Sequence, residues 1–253
     1  MNPSNLATLI DAAAINCQPI EQLSHHETFS VDEAYDIQRL SIEQRLARGE
    51  KLIGLKMGFT SEAKMQQMGV HDMIWGRLTN TMLIENGAAV DLGKFIHPRA
   101  EPEICFRVKE NINRELSVEE CIAVTDGIAS AIEVIDSRYL NFKFSLEDVI
   151  ADNCSSSALV IGEWTSPRRN LGNLGMNLLV NGEVSQAGNS QAILGDPWRS
   201  LAAATRLAHQ YGQTIAAGSV IMAGAATEAM FLKSGQQVSV DIESLGTASF
   251  LVR

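Results

Sequence analysis

The chain reads as an α+β protein, with a helical N-terminal segment (residues 1–50) set on a β-rich, mixed-sheet body (residues 51–253). Three observations lead there. The first fifty residues carry helical periodicity and a helix-start signal, the texture changes at Lys51 to short β-like runs, and an Asn-Gly pair in the second half separates two such runs.

Taken in order, Leu6, Leu9, Ile10 and Ala13 recur at helical spacing and predict an amphipathic helix. Ser30-Val-Asp-Glu33 is a capping box with Phe29 ahead of it as a hydrophobic staple, and its helix runs through Ile37, Leu40 and Leu46 to a stop at Gly49. Strand-like runs follow at 52–57, at 81–85 before Asn86-Gly87, at 103–108 and at 131–135. Ser117-Val-Glu-Glu120 opens a helix toward Thr125, and Asp196-Pro197 caps another through Leu201 and Leu207 to Gly212. Asn181-Gly182, between 176–180 and 183–187, is the strongest hairpin signal. The chain closes on three strand-like pieces, 219–223, 237–242 and 247–252, and shows no internal repeat or low-complexity linker.

Composition sets limits on function. A chain of 253 residues at 45% hydrophobic can bury a large core. No apolar run reaches the roughly 18 residues of a membrane span, and Met1-Asn-Pro-Ser-Asn5 lacks the basic and apolar segments of a secretory signal, so a cytoplasmic protein without a membrane partner is expected. Cys17, Cys105, Cys121 and Cys154 are widely separated and show no CxxC spacing, which reads as reduced thiols, mostly in the core. A net charge of −10 without blocks argues against nucleic acid. A small anionic substrate would need local positive charge, supplied by a divalent ion and a few lysines or arginines. Phosphate-binding glycine loops, a GxSxG elbow and an HExxH helix are all absent.

The most informative feature is Glu101-Pro102-Glu103. In a strand, two residues apart means the same face. Two anions side by side at the edge of a core repel and resist desolvation, so they call for a shared proton or a bound cation. Glu133 lies thirty residues on, in Ala131-Ile-Glu-Val-Ile-Asp-Ser-Arg138, among residues typical of a buried strand. Three oxygen ligands would suit Mg²⁺ or Mn²⁺. The same spacing is also compatible with a solvated edge and a Glu133 paired to a lysine or arginine.

These acids, with Gly54-Leu-Lys-Met-Gly58 before them and Val149-Ile-Ala-Asp-Asn-Cys-Ser-Ser156 after, resemble the fumarylacetoacetate hydrolase superfamily from about residue 29 to the C-terminus. The branch is that of the hydratases and decarboxylases of aromatic meta-cleavage catabolism. Leu55-Lys56-Met57-Gly58 and the stretches 60–69 and 135–144 look like its decarboxylases. The resemblance implies a body of the superfamily's C-terminal-domain type, with Glu101, Glu103 and Glu133 holding Mg²⁺ or Mn²⁺. It makes Lys56 and Asp152 catalytic, and Asn153, Ser155, Gly224 and Ala225 substrate-binding. It further implies a small 2-oxo dicarboxylic acid as substrate, a homo-oligomer, and association with a hydratase of the same pathway. The expected reaction is decarboxylation of 2-oxo-3-hexenedioate to 2-hydroxypenta-2,4-dienoate, the alternatives being hydration of that dienoate and hydrolysis of acylpyruvates. For the last, His25 or His26 with Glu27 is the visible water-activating base. Asp72-Met-Ile-Trp-Gly76 and Ala223-Gly-Ala-Ala-Thr227 depart from the family pattern and are expected along the pocket. The N-terminal helices are expected to pack over the site or between subunits.

Overall fold

The computed structural model describes residues 2–61, 65–66 and 72–253, so the stretch 60–69 lies largely outside the described residues. Local signals account for the N-terminal elements. Helix α1 (Pro3–Asn16) starts under Asn2, whose side chain accepts from Ser4 N–H, and turns left-handed at Cys17. Helix α2 (Val31–Ala47) has the reciprocal Ser30/Glu33 box read from the sequence. Arg48 makes two hydrogen bonds of 2.6 and 2.7 Å to the Asp11 carboxylate and ties the helices together.

The body follows as β1 (Leu52–Gly58), β2 (Ile74–Thr79), β3 (Leu83–Ile84), β4 (Ala89–Val90), β5 (Arg99–Val108), α3 (Val118–Val124), β6 (Thr125–Ile135), α4 (Leu146–Ala151) and β7 (Ser156–Ile161). The hairpin β8 (Gly175–Val180) and β9 (Glu183–Asn189), α5 (Pro197–Gln210), β10 (Val220–Ala225), β11 (Met230–Phe231), β12 (Gln237–Ile242) and β13 (Gly246–Val252) complete it. One sheet runs β2-β1-β10-β5-β6-β7-β3, with β11 beside β5; the other runs β4-β13-β12-β8-β9. Pairing is antiparallel except for β1/β10, β3/β7 and β4/β13. The second sheet packs through β12 and β13 onto β6. A contiguous core joins both sheets to α1, α2 and α5.

Asn181-Gly182 makes the expected hairpin, both residues at positive φ. Asn86-Gly87 joins strands of different sheets: β3 pairs with β7 and β4 with β13, so this turn carries the chain from one sheet to the other. Strand β2 escapes sequence reading because all six of its residues are buried, which erases the alternation that marks a half-exposed strand. Helix α4 is short, and its capping box uses Asp148 in place of Glu or Gln. Among the described residues no helix is long and apolar enough to cross a membrane. All four cysteines are free, three of them buried.

Candidate active site

Strand alternation sets Glu101, Glu103 and Cys105 on one face of β5. Register brings Glu133 of β6 directly opposite Glu101, and Ala131 opposite Glu103. On the other side of β5, Met222 of β10 faces Cys105, and Lys56 of β1 faces Met222. The sheet is curled enough for Lys56 Nζ to come within 3.1 Å of Glu133 Oε2. One ligand oxygen from each of the three glutamates falls within 4.8 Å of the others. The cluster expected from the sequence is thus assembled, and Glu133 has the lysine partner as well.

Its electrostatics are unbalanced. Like charges directly across an antiparallel pair oppose the pairing, and Glu103 and Glu133 have no exposed surface. Burial pushes the Glu103 carboxyl well above the ordinary range, and Glu133 and Glu101 push it further against the pull of Lys56. Burial likewise raises Glu133, again against Lys56. For Lys56, burial favours the neutral amine, but the carboxylates, Glu133 foremost, outweigh it and hold the group above the usual lysine value. Lys56 is therefore held as a cation here, chiefly by Glu133. Glu103 Oε2 accepts from Gly224 N–H at 2.8 Å. Among the described residues Glu103 Oε1 and Glu133 Oε1 have no hydrogen-bond partner. Orphaned buried acceptors on Glu103 and Glu133 in an all-oxygen set fit a hard divalent cation. Mg²⁺ or Mn²⁺ would be held by Glu101, Glu103 and Glu133.

A second device is the turn Asn153-Cys154-Ser155, whose three residues have φ of +50°, +53° and +56°. Non-glycine residues pay on the order of 1–3 kcal/mol each in this region, and such conformations persist only when the surroundings enforce them. The enforcement is visible. Arg138 binds Asp152 through its Nε and its own N–H, and reaches Ser156 O and Ser157 Oγ at 3.2 and 2.8 Å. Asn153 exchanges two hydrogen bonds with the Arg77 backbone, at 2.7 and 2.8 Å. The turn aims Cys154 O at Lys56 Nζ, 3.0 Å away, and among the described residues leaves Ser155 Oγ without a partner.

These groups border a cavity of about 390 Å³ lined by Lys56, Glu101, Cys154, Ser155 and Ala225, with Arg99, Ile74 and the Phe142 and Phe144 rings on its other walls. Four sequence-derived residues therefore meet there, with Glu103 and Glu133 behind Glu101. Asp152 and Asn153 do not line it. Asp152 is pushed up to about 6 by burial against the pull of Arg138 and serves as an anchor for the turn. Asn153 faces a smaller cavity of about 120 Å³ on the far side, shared with Asp11 and Arg138. Gly224 is absent from the lining, its N–H being committed to Glu103. Ile74 and Ala225 of the two divergent segments line this cavity. His26 pairs with Glu21 at 2.9 Å on the surface, and none of His25, His26 and Glu27 lines the cavity.

The N-terminal helices do not cover the cavity either. None of the described residues before Lys56 lines it. Instead Ile20 pairs by backbone with Arg138 and Leu140, each at 2.9 Å, and Ser24 donates twice to Asp148. The segment braces from outside the 138–148 stretch that carries Phe142 and Phe144. Arg99 was missed by sequence reading, although it stands two residues before Glu101 and alternation alone places it on the same face.

Gly224→Ala is expected to damage the acid cluster from behind. Residue 224 has φ +105°, and an added Cβ would come within 2.1 Å of Thr60 Oγ1. Relief requires moving the N–H that orients Glu103, so metal affinity measured by calorimetry should fall about 10–100-fold. Unchanged affinity in a folded variant would remove that orienting role.

Comparison with known proteins agrees with this geometry. Residues 51–253 match the family described as Fumarylacetoacetate (FAA) hydrolase C-terminal. The chain is 48% identical over 250 residues to a 4-oxalocrotonate decarboxylase of Pseudomonas sp, covering 99% of this chain and 98% of the relative. It is 33% identical over 230 residues to a 2-hydroxyhexa-2,4-dienoate hydratase of Comamonas testosteroni, covering 89% and 87%. The solved structure of 4-oxalocrotonate decarboxylase from Pseudomonas putida G7, complexed with magnesium and adipate, superposes with a TM-score of 0.95 at 36% identity over 99% of this chain and 97% of that one. With its acid-bearing strands inside the matched region, the chain belongs to the fumarylacetoacetate hydrolase C-terminal family.

Proposed function

We propose that the chain is a metal-dependent carboxy-lyase that converts 2-oxo-3-hexenedioate (4-oxalocrotonate) to 2-hydroxypenta-2,4-dienoate and CO₂. The observation that carries this reading is the buried Glu101/Glu103/Glu133 cluster beside Lys56, in a chain 48% identical along its length to a decarboxylase of that substrate. The Pseudomonas putida G7 enzyme binds magnesium and adipate, a six-carbon diacid, which supports both the cation and the substrate class.

The carboxylate that leaves is vinylogously β to the ketone, so the C5–C6 electron pair moves through the C3=C4 bond to the 2-oxo oxygen. A divalent cation held by the three glutamates would act as a Lewis acid toward that oxygen. Lys56, a cation fixed by Glu133 and Cys154 O, adds preorganised positive charge where the oxyanion develops, an interaction stronger in the transition state than in the ground state. Ser155 Oγ supplies a hydrogen-bonding group on the same wall, and Phe142, Phe144 and Ile74 keep that wall apolar and limit water. Asp152 acts at one remove, holding the strained turn through Arg138.

The ion is Mg²⁺ or Mn²⁺, both suited to an all-oxygen set. The enzyme is cytoplasmic, in keeping with four free cysteines. It works as a homo-oligomer able to associate with the pathway's hydratase, for which exposed Leu140 and Phe231 offer apolar surface. The test is to incubate the Mg²⁺-loaded protein with substrate labelled at C6. Release of ¹³CO₂ is expected; no labelled CO₂, with 4-hydroxy-2-oxopentanoate formed from added dienol, would make the protein the hydratase.

A further inference from the structure

Lys56 and Arg99 are the cations among the described residues lining the cavity, and they differ in availability. Lys56 is committed to Glu133 and to Cys154 O. Arg99 has no ion pair among the described residues, and its buried Nε has no hydrogen-bond partner. Its guanidinium carbon sits 3.9 Å from the centre of the Phe142 ring and 4.1 Å from that of Phe231. Two aromatic faces hold the group in place and leave its edge donors for a ligand. A planar fork so held is built for a carboxylate.

Position supplies the second argument. Arg99 and Glu101 lie two residues apart on one strand face, a spacing of about 7 Å. The two carboxyl carbons of an extended six-carbon diacid are separated by a comparable distance, roughly 6 Å from ordinary bond lengths. A ligand with one end at the glutamate cluster therefore brings its other end to the arginine. Resting on the reading above, we propose that Arg99 receives the distal carboxylate of the substrate and makes the cavity selective for 2-oxo diacids over 2-oxo monoacids.

This role has a kinetic signature. The distal carboxylate loses its charge as CO₂ departs, so a cation bound to it stabilises the ground state more than the transition state. Removing the arginine should weaken binding without slowing the chemical step. In Arg99→Met, KM should rise about 10–100-fold, as for loss of a charged hydrogen-bonded pair, while kcat stays constant or increases.

The deciding measurement needs no turnover. Mg²⁺-loaded wild type and variants are titrated calorimetrically with 2-oxoadipate and with 2-oxohexanoate, which differ only in the distal carboxylate and lack the double bond the reaction requires. Wild type should prefer the diacid by about tenfold or more, Arg99→Met should lose the preference, and Arg99→Lys should keep part of it, which also guards against a misfolded Met variant. A diacid preference that survives in folded Arg99→Met overturns the assignment, and if that wild type decarboxylates, the reaction stands. An Arg99-dependent preference in a protein that releases no CO₂ supports the assignment and overturns the reaction.

Discussion

Glu103→Gln should lower metal affinity at least about tenfold and, in the same protein, raise the melting temperature of the metal-free form. The two effects share one cause. Without the ion, Glu103 is a buried acid beside Glu101 and Glu133, which must either hold a proton or carry a poorly solvated charge, and its amide isostere removes that cost while still accepting from Gly224 N–H. With the ion, the lost charge is a lost ligand. The pH dependence follows from the raised Glu103 and Glu133 pKa values, raised first by burial. The folded metal-free protein holds protons that the unfolded chain releases near the ordinary glutamate value of about 4.3. Its stability is full below that value and is lost as pH rises through the raised values. Mg²⁺ competes with those protons, so its stabilisation should grow with pH. Thermal melts at about pH 5 and about pH 8, with chelator and with Mg²⁺, read both slopes. A metal-free Glu103→Gln variant that melts lower than wild type and binds Mg²⁺ as well would sink the metal assignment.

Lys56→Ala should release ¹³CO₂ from C6-labelled substrate about 10²–10³-fold more slowly than wild type, the usual cost of removing one preorganised donor at a developing oxyanion. Metal binding should persist. The variant also strips Glu133 of its 3.1 Å ion-pair partner. Breaking a fully buried pair from one side costs about 3–5 kcal/mol, and a bound cation offsets that loss by neutralising the glutamate. Lys56→Ala should accordingly be far less stable than wild type in chelator, and much closer to it in excess Mg²⁺. Lys56→Met, which keeps the apolar stem, separates the charge from the packing. Turnover near wild type in either folded variant would end the role assigned to this lysine.

Much of the architecture was legible because its signals are local. The Ser30/Glu33 and Ser117/Glu120 boxes and the Asn181-Gly182 turn each act within a few residues, and each appears where the sequence places it. Asn86-Gly87 carries the same local chemistry and yet joins two sheets, because the partners of β3 and β4 lie far away in the chain. Strand β2 was invisible for a related reason: its burial on both faces comes from neighbours, not from its own pattern.

The site divides along the same line. Glu101 and Glu103 share a face by strand alternation, a property of adjacent residues, and the chemistry of paired buried carboxylates then demands a cation. The sequence by itself determined that much and offered Glu133 as a third acid, and with the family resemblance it pointed to Lys56. Only the tertiary structure decided that Glu133 stands opposite Glu101 and that Lys56 reaches it, since both depend on register between strands separated in the chain. It also moved Asp152 and Asn153 behind the wall and brought Arg99 into the cavity between Phe142 and Phe231. A residue type states which interactions a side chain can make; which of them it does make depends on the partners that packing delivers, and those come from distant parts of the chain.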